Sequence, residues 1–288
     1  VISGYMNILI TGCNGYIGRH VYNLASTYFD NVVGVSSGEN KFNYNNYIKL
    51  DLLAHCNDRD LFDTLRSPDV LIHLAWTDGF NHNSISHIEN LPRHLNFLKN
   101  IVFSGCKSVS VIGSMHEIGF YEGLVNENTI CNPMSLYGIS KNALKQSLFS
   151  IFRERSDISF KWLRAYYVTG DDIANNSIFS KIIKMNNSKQ LSFPFTNGEN
   201  KYDFIDIREL SKQILCSALQ NKINGVVEVC SGNPVSLKDK VNDFIFKNKL
   251  SIKPNYGEFP SRPYDSKIIY GDTSKIKEIL NLTKSLYL

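Results

Sequence analysis

The chain has 288 residues, of which 43% are hydrophobic, and its formal net charge at pH 7 is +4. It has no 18-residue apolar run and no dense block of Lys and Arg, so neither a membrane span nor a nucleic-acid surface is predicted. The six Cys lack C-x-x-C pairing and the seven His lack metal-ligand spacing. We therefore expect reduced thiols, no metal, no secretory leader and a cytoplasmic protein, with Met6 as its natural start and residues 1–5 as an addition.

Strand-like and helix-like segments alternate through the first 165 residues. Strands are predicted at residues 7–11, 31–35, 47–50, 70–74, 108–114 and 160–165, and helices at 16–29, 59–65, 88–102 and 136–152. Such alternation predicts a parallel sheet with helices on both faces. Beyond residue 165 the order breaks, and the predicted helices at 178–185, 209–219, 236–246 and 273–280 are interspersed with predicted loops at 171–177 and 192–201. Ser236 and Asp239 form a capping pattern for the third of these helices.

A glycine-rich turn joins the first strand to the first helix. Gly12, Gly15 and Gly18 follow the apolar run at residues 6–11 directly. Glycines allow a tight turn and a close approach of backbone to a pyrophosphate, which the N-terminus of the following helix attracts. The context of strand, turn and helix predicts a Rossmann-type dinucleotide site.

Three residues are candidates for chemistry at a substrate. If residues 136–152 are helical, Tyr137 and Lys141 lie one turn apart on the same face. An ammonium at about 4 Å would then lower the pKa of the phenol from near 10 toward neutrality. Ser114 ends a buried strand, at the edge where open α/β sheets bind ligands.

Together these features resemble the extended short-chain dehydrogenase/reductases, and within them the NAD(P)-dependent sugar-nucleotide epimerase/dehydratase group. The resemblance covers nearly the whole chain, and its other landmarks are Asp51-Leu52, His73-Leu74-Ala75, Leu163-Arg164, residues 202–206 and Arg262-Pro263. It implies an α/β fold with a Rossmann-type doubly wound parallel sheet and a smaller mixed C-terminal substrate lobe. We assign residues 6–165 to the dinucleotide domain, with later returns such as 203–230, and residues 166–288 mainly to the substrate lobe.

The resemblance also implies roles for individual residues. Tyr137 would be the acid or base at a sugar hydroxyl or ketone, Lys141 would hold the nicotinamide ribose and lower the pKa of Tyr137, and Ser114 would hydrogen-bond the same sugar oxygen. The implied cofactor-binding residues are Gly12, Asn14, Gly15, Tyr16, Ile17, Gly18, Ser36, Ser37, Asp51, Leu52, Leu74, Ala75, Trp76, Tyr137 and Lys141. His73, within the same stretch, is predicted to be a buried core histidine.

The residues after Ser114 bear on the reaction. Dehydratases of this group follow their catalytic hydroxyl with an acidic pair, whereas this chain has Met115 and His116 there, and Glu117 could replace the acid only through a shift of register. Residues 113–123 and 131–137 look like those of 4-keto-6-deoxyhexose nucleotide reductases, which make rare sugars for bacterial surface polysaccharides. The implied reaction is NAD(P)H-dependent reduction of a C4 ketone. The alternatives are an NAD-dependent 4-epimerase and a non-catalytic nucleotide sensor.

The cofactor and the substrate contacts are less closely defined. The second strand ends in Ser36-Ser37, with no carboxylate before Glu39, which favours NADPH, with Lys41 or Arg19 supplying charge. The usual Arg at this point is missing, so NADH stays possible. The predicted substrate contacts are Met115, His116, Tyr167 (where the family has Asn) and Arg262 at the diphosphate. The family implies a nucleotide-linked keto-sugar as substrate and a homodimer through the helices at 88–102 and 136–152. The nucleotide and the C4 configuration stay open.

Overall fold

The structure is a computed structural model that describes residues 6–170, 177–260 and 265–284. Its elements, in chain order, are β1 (Ile8–Thr11), α1 (Tyr16–Tyr28), β2 (Val32–Ser36), β3 (Tyr47–Lys49), α2 (Leu61–Thr64), β4 (Val70–His73), α3 (Ser86–Ser104), β5 (Ser108–Ser114), a 3-10 turn (Met115–Glu117), β6 (Gly123–Val125), α4 (Leu136–Phe152), β7 (Ser159–Ala165), β8 (Tyr167–Thr169), α5 (Ile178–Asn187), β9 (Ser192–Phe195), β10 (Lys201–Asp206), α6 (Ile207–Ala218), β11 (Gly225–Val229), β12 (Pro234–Ser236), α7 (Leu237–Lys247), β13 (Lys253–Tyr256), β14 (Ile268–Gly271) and α8 (Ser274–Leu282).

A sheet of seven parallel strands forms the centre, in the order β11-β7-β5-β4-β1-β2-β3. All four residues of β1 are buried, because helices cover both faces. Ile8 and Ile10 belong to the apolar cluster shared with α1 and α6, while Leu9 belongs to the cluster shared with α3 and α4. The predicted α/β doubly wound fold is confirmed.

The strand order sets the position of the ligand crevice. β1 has β2 on one side and β4 on the other, so the helices that follow β1 and β4 lie on opposite faces of the sheet. Such a switch point opens a crevice at the carboxyl ends of the strands. The glycine turn follows β1 at this edge, and His73-Leu74-Ala75 ends β4 beside it.

The chain segments that follow β5 and β7 build a smaller lobe. Its mixed sheet has the order β12-β10-β14-β6, β8 pairs with β10, and a separate ribbon joins β9 to β13. The lobe has its own apolar cluster, which includes Tyr166, Phe179 and Phe204. The loop predicted at 192–201 is wrong in its first half, because β9 lies there and pairs with β13. The paired residues are 61 positions apart in the chain, and no local pattern reveals such a pairing. Most of the other predicted loop, 171–177, lies outside the described residues.

The N-terminus of α7 is capped by a side chain. Ser236 Oγ accepts a hydrogen bond from the backbone N–H of Asp239 at 3.0 Å, so the predicted cap of α7 is confirmed. Among the helices in the described ranges, none combines the length and apolar character that a membrane span requires.

Candidate active site

The glycine turn is shaped by contacts between backbone segments. Gly12 has a φ of +68°, and a Cβ on it would lie 2.8 Å from the Cα of Ala75. A Cβ on Gly18 would lie 2.1 Å from the carbonyl oxygen of Gly12. Gly15 is the N-cap residue of α1 and has no side chain to cap the helix. The N-terminus of α1 is therefore open to an anion, as a pyrophosphate requires.

A cavity of about 340 Å³ lies at the carboxyl ends of β1 to β4. Its volume falls within the range of small-molecule sites. Nine of the predicted cofactor residues line it, namely Gly12, Gly15, Ser36, Ser37, Asp51, Leu52, Leu74, Ala75 and Trp76. The glycine turn, an open helix N-terminus and apolar walls fit an adenine dinucleotide. A cavity of about 430 Å³ on the outer side of α3 contains none of the predicted site residues.

Several side chains near the turn are engaged elsewhere. Asn14 donates to the carbonyl oxygen of Glu39 at 2.7 Å, and the Tyr16 hydroxyl donates to the carbonyl oxygen of Gly170. Ile17 packs against the core. The amide nitrogen of Asn14 and the Tyr16 hydroxyl are thus engaged within the protein, whereas the amide oxygen of Asn14 has no hydrogen-bond partner among the described residues.

The end of β2 is less basic than predicted. Arg19 is buried, with its guanidinium 5.4 Å from the ring centre of Tyr16 and 5.7 Å from that of Phe42. It therefore packs against these rings and does not line the cavity, so the prediction that it supplies charge there is wrong. The carboxylate of Glu39 pairs with the ammonium of Lys49.

The predicted catalytic residues meet at the Trp76 end of the cavity. The Lys141 ammonium donates to the carbonyl oxygen of Ile112 at 2.9 Å and lies 3.7 Å from the ring centre of Trp76. It lies 5.9 Å from the ring centre of Tyr137, and the Ser114 side chain lies close enough to the phenol to lower its pKa. Parallel strand β5 and helix α4 thus bring Ser114, Tyr137 and Lys141 together.

The pKa values of this pair differ from the expectation. Burial raises the pKa of Tyr137 to about 12, the hydrogen bond from Ser114 opposes that rise, and the charge of Glu117 adds to it. Burial lowers the pKa of Lys141 to about 7, against the effect of Glu117. The predicted lowering of the Tyr137 pKa is therefore wrong. The ammonium lies against Ile112 and Trp76, and it is only partly protonated at neutral pH.

The carboxylate of Glu117 is fixed by hydrogen bonds and by nearby cations in the protein interior. Its carboxylate accepts hydrogen bonds from Trp162 Nε1 at 2.9 Å and from the backbone N–H of Ser114 at 2.7 Å. Lys145 Nζ lies 3.4 Å away and Arg164 Nε lies 3.5 Å away. This fully buried carboxylate holds the end of β5 in place, so it is not placed to restore the acidic pair of a dehydratase.

The ring of His82 lies beside Tyr137 and the predicted substrate contact His116, and the sequence analysis did not identify His82. The ring of His82 stacks on that of Tyr137, with centres 5.3 Å apart and planes 14° apart, and it lies 4.2 Å from the ring of His116. Burial, followed by the charge of His82, lowers the pKa of His116 to about 3, which keeps it neutral. His82 lies in the loop after β4, and that position at the ligand edge of the sheet was the available signal.

Of the other predicted residues, Tyr167 lines the site, whereas Met115 and His73 lie in the protein interior. Tyr167 lies 6.5 Å from the ring of His116 and 4.7 Å from the ring of Tyr202, so an aromatic wall leads from the catalytic residues into the smaller lobe. Met115 packs in the core of that lobe. His73 is 1% exposed and hydrogen-bonds Thr11 and His94, as expected of a core histidine. Arg262 lies outside the described residues.

Residues 8–230 match the model of the NAD dependent epimerase/dehydratase family. The chain belongs to this family. Membership confirms the predicted family and fold class, and it identifies the chain as an NAD-dependent enzyme of a family that acts on sugar nucleotides.

Individual relatives and structures agree with the family model. The chain is 42% identical to a dTDP-6-deoxy-L-talose 4-dehydrogenase (NAD(+)) from Aggregatibacter actinomycetemcomitans, over 92% of this chain and 99% of the relative. It is 24% identical to a dTDP-4-dehydro-6-deoxyglucose reductase from Escherichia coli, over 85% of this chain and 83% of the relative. The structure of MoeE5 in complex with UDP-glucose and NAD superposes with a TM-score of 0.79 at 22% identity, covering 98% of this chain and 96% of that one. The family to which the chain belongs is NAD dependent, and these matches give no support to a preference for NADPH.

Proposed function

We propose that this enzyme transfers hydride between NAD(P)H and C4 of a nucleotide-linked 4-keto-6-deoxyhexose, reducing the ketone to a hydroxyl. The observation that carries the proposal is the meeting of Ser114, Tyr137 and Lys141 at one end of the dinucleotide cavity. The relative at 42% identity is named for the reverse reaction at the same carbon of such a sugar. A 6-deoxyhexose linked to dTDP is therefore the first substrate to test.

Each catalytic residue has a distinct task. The bound nicotinamide would supply the hydride. Tyr137 would give its proton to O4 as the carbonyl carbon is reduced, while Ser114 would hydrogen-bond the same oxygen. A phenol with a pKa of about 12 keeps its proton at neutral pH, which suits the reductive direction. Lys141 lies where Trp76 lines the cavity, and its ammonium would hold the ribose next to the nicotinamide.

The aromatic wall suits the sugar. His82, His116, Tyr167 and Tyr202 succeed one another at ring distances of 4.2, 6.5 and 4.7 Å, starting beside Tyr137. Flat aromatic rings pack against the apolar faces and the methyl group of a deoxysugar, and the neutral imidazole of His116 can both donate and accept a hydrogen bond. We therefore assign sugar contacts to His82 as well as His116.

The decisive test is a panel of 4-keto-6-deoxy sugars linked to dTDP, CDP, GDP and UDP, assayed with NADH and with NADPH. Consumption of the reduced cofactor with one member, and an NMR spectrum showing a new C4 hydroxyl, would support the proposal. Tyr137→Phe should lower kcat at least about 100-fold while its Kd for NADH stays unchanged. Normal turnover by Tyr137→Phe would refute the assigned mechanism.

A 4-epimerase is the second candidate, because a relative at 28% identity is named as an uncharacterised UDP-glucose epimerase. An epimerase would convert a UDP-hexose to its 4-epimer without net consumption of NADH, and that outcome would replace the reductase assignment. We also propose a cytoplasmic homodimer that associates through α3 and α4. Light scattering on the purified protein tests the dimer.

A further inference from the structure

One cation lines the dinucleotide cavity without a described ion-pair partner. Arg93 lies on α3, is exposed, and takes part in none of the salt bridges found among residues 6–170, 177–260 and 265–284. The other formal charge on the lining is Asp51, whose Oδ1 accepts hydrogen bonds from the backbone N–H groups of Leu53 and Ala54. The carboxylate thus stabilises its own turn, and the guanidinium remains available to a ligand.

The neighbours of Arg93 direct it toward the cavity. Asn90 lies one turn earlier on the same face of α3, lines the same cavity, and accepts a hydrogen bond from Arg93 at 3.5 Å. The amide of Asn90 also donates to Thr77, a lining residue from the loop after β4, at 3.3 Å. Asn90 engages one of the five N–H groups of the guanidinium, and the planar fork suits a phosphate.

The end of β2 contributes no charged residue to the lining of the cavity. Ser36 and Ser37 line the cavity without charge, Arg19 is buried between aromatic rings, and the charge of Lys49 is engaged by Glu39. A dinucleotide carries two phosphates, or three when the ribose is phosphorylated. The open N-terminus of α1 contributes only partial charge to their neutralisation.

We propose that Arg93 binds a phosphate of the adenosine half of the dinucleotide, either the 5′-pyrophosphate or a 2′-phosphate. The inference depends on the cofactor site of the proposed function, and it adds a residue on α3 that the glycine motif does not include. It makes α3 the positively charged wall of the cavity, facing the neutral end of β2.

The test measures binding of cofactor fragments by calorimetry, without any sugar. Arg93→Gln is compared with wild type and with Arg153→Gln, which removes the same charge at the exposed end of α4. The expected result is a Kd for NADH and for ADP-ribose that rises roughly 10-fold or more in Arg93→Gln alone. The Kd for reduced nicotinamide mononucleotide, which lacks the adenosine half, should stay unchanged, and Arg93→Lys should recover part of the loss.

Two further comparisons locate the phosphate and separate the hypotheses. A larger loss for 2′,5′-ADP than for 5′-ADP assigns Arg93 to the 2′-phosphate, and equal losses assign it to the pyrophosphate. A Kd for ADP-ribose within twofold of wild type, or an equal effect of Arg153→Gln, would overturn the inference. Turnover of a keto-sugar at saturating cofactor reports on the proposed function independently, because kcat under those conditions does not depend on the Kd for the cofactor.

Discussion

Replacing Lys141 by Met should stabilise the protein while abolishing its activity. The side chain is 1% exposed, and burial lowers its pKa from 10.5 to about 7. At about 1.4 kcal/mol per pH unit, keeping this group buried at pH 7 disfavours folding by roughly 5 kcal/mol as an upper limit. Loss of the hydrogen bond to Ile112 removes about 1–3 kcal/mol. The expected net gain is about 2–4 kcal/mol.

The pH dependence distinguishes this cause from a packing effect. The folded pKa lies below the unfolded one, so the penalty is absent above pH 10.5, grows as the pH falls toward 7, and stays constant at lower pH. Urea unfolding followed by circular dichroism between pH 6 and pH 10 measures it. The stability difference between Lys141→Met and wild type should be largest at or below pH 7 and should shrink toward pH 10.

Lys161 provides a matched control. It is fully buried, donates to Ser108 Oγ at 3.1 Å, and has its pKa lowered by burial to about 7. Ser108 is the first residue of β5 and Ser114 is the last. Lys161 therefore lies near the amino-terminal ends of the strands, whereas the site lies at their carboxyl ends. Lys161→Met should show the same pH signature and retain activity. A stability difference that does not change with pH in both variants would refute the reasoning.

Three further predictions concern other parts of the site. Glu117→Gln should lower stability by about 3–5 kcal/mol, because it leaves the buried ammonium of Lys145 without its counter-charge, whereas Arg164 keeps Glu228; an unchanged melting temperature would contradict this. Gly18→Ala should abolish NADH binding, whereas Gly38→Ala, whose Cβ would meet nothing closer than 4.0 Å, should leave the Kd unchanged. His82→Ala should raise KM for the sugar nucleotide roughly 10-fold, within the range of one lost hydrogen bond, with no effect on NADH binding, and His55→Ala, paired with Asp58 on an exposed segment, should change neither constant.

The parallel half of the fold was predictable because its signals are local. An apolar run, a glycine turn and an amphipathic helix lie within residues 6–28, and the same alternation repeats as far as β7. The lobe was less predictable because its strands are short and pair over long separations. β14, for example, pairs with β6, about 145 residues away in the chain. Sequence spacing does not encode such pairings.

The site also combines features that the local sequence predicts with features that depend on the folded surroundings. The glycine turn and the approach of Tyr137 to Ser114 were predictable, since strand ends and helix faces determine them. The pKa of Tyr137 was not, because it depends on burial and on where the Lys141 ammonium finds partners. Arg93 was missed because an exposed arginine on a helix has no distinctive pattern until the cavity beside it is known.

The position of β11 has a consequence for how the chain is made. This strand forms the edge of the seven-stranded sheet beside β7, yet it is separated from β7 by the residues that build most of the lobe. A ribosome must therefore release about 230 residues before all seven strands of the sheet are available to pair. Until then the edge of β7 and the apolar face beneath α6 stay exposed to chaperones and to other nascent chains. Folding of the nucleotide half is thus a late event in synthesis, although its signature motif is translated first.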